Sequence, residues 1–401
     1  MQQMSVIMSF CVITVFMAIG DVVSNKTKAF VPSVFVAATL FLFGFWTFVP
    51  SNVDIIAGLG MPVALMAMYL LLVHMGTLMS LKELVSEWKT ITIALCGIGG
   101  MVGVLLTLGR LFVAKEAIIV GTPPLTGGIV AAIMMNQAAT EKGLTTLAIL
   151  AIVMYVMQGF VGYPLTALAL KKEGKRLLSI YHNGGEELEK LQVNSKSNKQ
   201  TAETRGRFQF IPPLPDSYQT TFMLLAKTGL VAWAAVGASA LMNDFISKFV
   251  LCLIFGVIAA EIGFLERKPL NKSGSFGYLM LSLMAYVFVA LAKATPAMLT
   301  QMAGDLVIII IIGVIGMGIA SMIVGKLLGY SKAMAFALTL TALYGFPPNY
   351  ILTEEAARAL ADNPEEFNFL MDHMLPKMLV GGFTTVTVAS VIIAGIFVKM
   401  L

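Results

Sequence analysis

Two short stretches of this 401-residue chain stand out for what their main chain could do. Gly121-Thr122-Pro123-Pro124-Leu125-Thr126-Gly127-Gly128 and Tyr344-Gly345-Phe346-Pro347-Pro348-Asn349-Tyr350 each set a proline pair among glycines inside apolar surroundings. A proline pair removes two N–H donors and disfavours helix at the residue before it, so a helix entering either stretch must break. Broken ends expose amide donors on one side and carbonyl acceptors on the other, the groups that hold a small polar solute or an ion. The accompanying side chains are hydroxyls and amides: Thr122 and Thr126 in the first stretch, and Tyr344, Asn349, Tyr350 and Thr353 in and after the second. Such groups suit a carboxylate and a sodium ion alike. Asn136, Gln137 and Glu354, a little downstream, are the expected ion contacts. The competing reading is that Pro and Gly merely kink packed helices while Asn and Gln join neighbours. Two interruptions at corresponding places favour the binding site.

The elements that must position these stretches are membrane spans. With 58% hydrophobic and 12% charged residues the chain cannot cover itself with a water-soluble surface. Met4 to Gly20, Phe30 to Val49 and Leu306 to Val324 each approach the roughly 20 apolar residues needed to cross a hydrocarbon core. Apolar segments fall near residues 4–20, 30–49, 57–79, 90–113, 117–139 and 144–170, and again near 222–241, 248–264, 276–293, 303–327, 333–359 and 374–400. Between the two sets lies a polar stretch with basic clusters at Lys171, Lys172, Lys175 and Arg176 and at Arg205 and Arg207. The expected organisation is a first membrane repeat over 1–170, a linker over 171–220 and a second repeat over 221–401. Gly97, Gly100, Met101 and Gly109-Arg110-Leu111 match Gly313, Gly316, Met317 and Gly325-Lys326-Leu327 at one constant shift. A slightly larger shift lays Gly121-Thr122-Pro123-Pro124 on Gly345-Phe346-Pro347-Pro348. Duplication accounts for both.

Loop charge decides how the fifth segment of each half is disposed. If it crosses fully, the halves are parallel and the basic loops at Lys26, Lys28, Lys82 and Lys89 lie outside. If it dips in and returns, each half has five spans, the second is inverted, and those loops, the linker, Arg267, Lys268, Lys272, Lys326 and Lys332 are all cytoplasmic. The expectation is therefore an all-α integral membrane protein: two inverted repeats of five transmembrane helices, each with a re-entrant Gly/Pro-rich hairpin. Both termini are then external, and the first apolar run is a retained span because no basic region precedes it.

Other residues carry weaker signals. His74, alone near a span end, reads as a packed residue ahead of a proton relay. Cys11, Cys96 and Cys252 lie in apolar runs and read as small core residues, and Gly99-x-x-x-Gly103 reads as a helix contact. Gly325-Lys326 lacks the remainder of a phosphate-binding loop, so ATP hydrolysis in this chain is not expected. The net charge of +5 sits in loops and does not point to nucleic acid.

The arrangement resembles the glutamate:sodium symporter family, and more distantly the 2-hydroxycarboxylate transporters. The likeness covers nearly the whole chain and rests on its length, two five-span halves, the central polar loop and a Gly-rich hairpin ahead of the last span of each half. In place of that family's Gly-Gly-x-Gly type signature stand Thr126-Gly127-Gly128-Ile129 and Gly345-Phe346-Pro347-Pro348. The resemblance implies an elevator-type secondary transporter with sodium as coupling ion and no other cofactor. It would carry an amino acid such as glutamate or another small anionic or zwitterionic solute across the cell (inner) membrane, with a homodimer as its assembly. By position it assigns Thr122, Pro123, Pro124, Thr126, Gly127 and Gly128, and Tyr344, Gly345, Pro347, Pro348, Asn349 and Tyr350, to the binding site. A channel or a membrane subunit of a larger complex is the alternative; an enzyme is not expected. On this topology a cysteine placed at Ser195 should react with a membrane-impermeant thiol reagent only after cells are permeabilised. Labelling in intact cells would overturn it.

Overall fold

The computed structural model describes residues 4–78, 87–184, 211–212, 215–242, 246 and 248–401. Among these the chain is all-helical, with seven helices long and apolar enough to cross a membrane. That is the pattern of a multi-pass membrane protein. Lys82, Ser195, Arg205 and Arg207, with most of the expected linker, lie outside the described residues.

In chain order the principal helices are α1 (Val6–Lys26), α2 (Ser33–Thr47), α3 (Met61–Gly76), α4 (Trp88–Thr107), α5 (Lys115–Gly121), α6 (Ile129–Glu141), α7 (Thr145–Asn183) and α8 (Thr221–Leu241). They continue with α9 (Lys248–Glu261), α10 (Phe276–Val289), α11 (Pro296–Leu327), α12 (Lys332–Leu340), α13 (Pro348–Leu360), α14 (Pro364–Phe383) and α15 (Ser390–Met400). A π-helical stretch, Thr384–Ala389, joins α14 to α15. The expected end of the first membrane repeat at 170 falls inside α7, which runs on to Asn183. Its polar last turns are held there by Glu173, which accepts from Arg176 at 2.7 Å and from the Ser331 hydroxyl.

Packing divides the chain into two units, and each draws on both sequence halves. One comprises Met1–Cys11, Asn52–Ser86 and Ile180–Val287; the other comprises Val12–Ser51, Glu87–Ser179 and Phe288–Leu401. In the first, α3 packs on α8 and, through glycines, on α9. A Cβ on Gly76 would overlap the Leu253 carbonyl, and one on Gly256 the Val73 carbonyl. His74 is buried here; its Nδ1 accepts the Leu270 N–H at 3.3 Å and its ring lies 5.3 Å from Phe276. Those contacts are those of a packed residue.

The second unit is built around α4 and α11. Lipid is as apolar as a protein core, so helices in a membrane associate through close packing of small residues more than through burial of apolar area. The glycines show this. A Cβ on Gly100 would lie 2.7 Å from the Gly316 carbonyl oxygen, and one on Gly316 would lie 2.8 Å from the Gly100 carbonyl oxygen. These two glycines, matched in sequence at the constant shift, thus face one another reciprocally. Gly97 makes a further tight contact, with the Thr339 side chain of α12. Gly99 and Gly103, the pair singled out by spacing, have nothing within 4 Å. The contact face is one residue round the helix from the motif. Cys11 and Cys96 are likewise exposed on the protein, and only Cys252 is a core residue. Gly100→Val should overpack the α4–α11 seam, costing about 1–3 kcal/mol and lowering the melting temperature. Gly99→Val and Gly103→Val should leave it within error, as thermal unfolding of the purified variants would show.

Candidate functional site

Each half contains the same run of elements: a short helix, a 3-10 turn and a helix of 13 residues. They are α5, Pro124–Thr126 and α6 in the first half, and α12, Thr341–Leu343 and α13 in the second. In the first, the helical ladder lasts to Thr122, whose N–H donates to the Ile118 carbonyl at 3.0 Å. Pro123 and Pro124 then deny helical donors to the carbonyls of Ile119 and Val120. The chain tightens so that Leu125, Thr126 and Gly127 donate to the carbonyls of Thr122, Pro123 and Pro124 at 3.0–3.1 Å. Gly127 turns it into the left-handed region at φ 96°, and Gly128 is extended before α6 begins.

The second interruption works differently. Tyr344 and Gly345 both donate to the Thr341 carbonyl, at 3.2 and 2.8 Å, and Gly345 makes the left-handed turn at φ 68°. Pro347 and Pro348 come after that turn, and Pro348 opens α13. The sequence match of Pro123-Pro124 to Pro347-Pro348 is therefore off. The structural counterparts are the turns Pro124–Thr126 and Thr341–Leu343, each followed by a left-handed glycine. Proline is well suited to the first helical position, where its missing donor costs nothing, so the second pair starts a helix and the glycine does the breaking. It still leaves the carbonyls of Leu343 and Tyr344 without helical donors.

The two interruptions meet. The 3-10 turns touch each other, and both touch the π-helical stretch of the last membrane helix. A Cβ on Gly127 would overlap the Ala342 carbonyl and lie 2.7 Å from Val386 Cγ2; one on Gly345 would lie 3.0 Å from the same methyl. Gly128 is as close to Ser390, whose hydroxyl donates to the Val386 carbonyl at 2.6 Å. Leu125, Ala342 and Leu343 belong to the apolar core formed with Met101, Met154 and Ile309. Three departures from the α-helix thus converge on one buried place in the second unit. Irregular backbone at membrane depth is tolerated only in protein or against a wet cavity.

The polar side chains there are already oriented. Thr122, Thr126 and Thr353 hydroxyls donate to the carbonyls of Ile118, Pro123 and Asn349 at 2.7, 2.6 and 2.7 Å, and Thr341 donates to Leu338 at 2.5 Å. Each has committed its one proton to its own helix, so what it can offer a ligand is lone pairs. Asn349 ties α13 to α14 through Nδ2 to the Met378 carbonyl at 3.1 Å and accepts the Tyr350 N–H at 2.8 Å. Tyr344 donates to the Thr166 hydroxyl on α7 at 2.8 Å. No Asp, Glu, Lys or Arg occurs in 117–128, 338–350 or 378–390. Among the described residues no group of three or more His, Cys, Asp or Glu side chains could hold a metal ion.

No protein-family model matches the chain, and no curated protein matches it in sequence.

The three expected ion contacts have their partners elsewhere. Asn136 donates to the Ala148 carbonyl at 2.7 Å, exposed Gln137 donates to Glu141 at 2.9 Å, and Glu354 pairs with Arg358 at 2.6 Å. Thr166, Thr341, Val386 and Ser390, which do adjoin the interruptions, were not legible from motif spacing. Gly127→Ala should be far more damaging than Gly143→Ala. Both glycines have positive φ, worth about 1–2 kcal/mol against an L side chain, but only at Gly127 does the new methyl meet the opposite interruption. Melting temperatures of the two variants would separate strain from collision.

Proposed function

We propose that this protein is an ion-coupled secondary transporter, with the two interruptions forming the site for a small polar solute. One observation carries the reading: two broken helices at matching positions of the two halves are in mutual contact at a buried, uncharged place. Discontinuous helices in corresponding positions are the arrangement by which transporters hold solutes, with helix N-termini toward anionic groups and carbonyl ends toward cations. Here the N-termini belong to α6 and α13, and the carbonyl ends to α5 and α12.

The reciprocal contact of Gly100 with Gly316 supports an inverted duplication, because a two-fold relation makes equivalent residues meet on its axis. The touching 3-10 turns support it in the same way. Loop charge then sets the central segment in the cytoplasm and both termini outside. By the family resemblance the coupling ion is sodium and the solute is glutamate or another small amino acid or carboxylate. The separately packed unit holding both interruptions is the natural mobile body of an elevator cycle.

Proteoliposomes bearing an inward sodium gradient should accumulate labelled L-glutamate saturably. Non-saturating flux would favour a channel, and no flux a subunit of a larger complex. Thr126→Val and Asn349→Leu should reach the membrane yet lose affinity by about tenfold to a hundredfold, the effect of removing one buried hydrogen-bonding group. His74→Gln should transport normally. Normal uptake by both site variants would move the site elsewhere.

A further inference from the structure

Gln158 lies in mid-α7, 1% exposed, and neither its Oε1 nor its Nε2 has a hydrogen-bond partner. A buried primary amide with every polar position unmet is costly, and native proteins seldom keep one without a use. Its direction follows from helix periodicity, because residues four apart share a face. One turn before it, the Met154 methyl lies 3.3 Å from where a Cβ on Gly121 would stand, on the last turn before the first interruption. One turn after it, a Cβ on Gly162 would lie 2.9 Å from Leu343 Cβ and from Tyr344 Cδ1, at the second. A turn further, Thr166 accepts from Tyr344. Gln158 therefore stands between the ends of the two broken helices.

We propose that Gln158 contacts the bound species through Oε1, and that this part of the site takes an electropositive group. The inference rests on the transporter reading and sharpens it. The carbonyls of Ile119, Val120, Leu343 and Tyr344 lack helical donors, and the hydroxyls of Thr122, Thr126 and Thr341 have only lone pairs to give. Acceptors are in surplus and no carboxylate is present, an environment for a dehydrated alkali cation or for a solute ammonium group. Nε2 can turn to one of the donor-less carbonyls once Oε1 faces the ligand. A carboxylate bound at this point would meet lone pairs.

The test uses the full-length protein in nanodiscs, following its melting temperature while sodium chloride or methylammonium chloride replaces choline chloride at constant ionic strength. A ligand of the native state raises the melting temperature saturably. One of the two cations is expected to do so, and the arm that responds identifies an ion or an ammonium site. Gln158→Leu should melt higher than wild type without ligand, since the unmet amide is gone, yet need at least tenfold more cation for half the shift. Gln158→Glu should need less. A purely structural glutamine would give the opposite baseline and no change in the midpoint. An unchanged midpoint in Gln158→Leu, or no saturable shift of the wild type by either cation, would overturn the proposal. If cation binding depends on Gln158 but proteoliposomes accumulate no solute under any gradient, the site stands and transport falls.

Discussion

A main-chain carbonyl in hydrocarbon has no water to turn to, and that constraint organises this protein. A chain that interrupts two helices in its buried interior must find packing for each loose end. Here the solution is mutual: the interruptions are set against each other and against a π-helical stretch, with Gly127 and Gly128 leaving room for the opposing backbone. Gly127 serves twice, giving the left-handed turn and leaving room for the Ala342 carbonyl. Hydroxyls bonded back to their own helices complete the arrangement. The prolines ensure that some carbonyls are still left over, and those leftovers are the chemistry available to a ligand.

The same packing bears on dynamics. Turns that interlock at this distance cannot open one at a time without separating glycine contacts on both sides. In the transporter reading, access therefore changes by movement of the whole unit that holds them, with the site kept intact. The reciprocal Gly100–Gly316 seam between α4 and α11 has the same effect on the long helices that frame the site. Small residues at matching sequence positions make the unit stiff where the two interruptions sit.

Much of this was legible in the sequence, for physical reasons that differ by element. Apolar runs are summed over many residues, so the seven long apolar helices were legible among the ten expected spans, despite a blurred boundary at residue 170, where α7 continues into polar sequence. Pro123-Pro124 announced its break because two missing donors in mid-helix have no other outcome. Pro347-Pro348 misplaced the second break, since proline opens a helix as readily as it ends one and the sign of φ at Gly345 is not written in a motif. Gly99 and Gly103 had the right spacing on the wrong face. Gln158 gave only the faint signal of one amide in an apolar helix, and its meaning depends on Gly121 and Tyr344, far away in the chain.

If the main chain of both interruptions forms one ligand site, amide hydrogen exchange reads it directly. Peptides spanning 117–128 and 340–350 should both exchange more slowly when sodium chloride and L-glutamate are added together, with little change in α3, α8 and α9. Slowing confined to one interruption, or to neither while another region responds, would rule out a shared site.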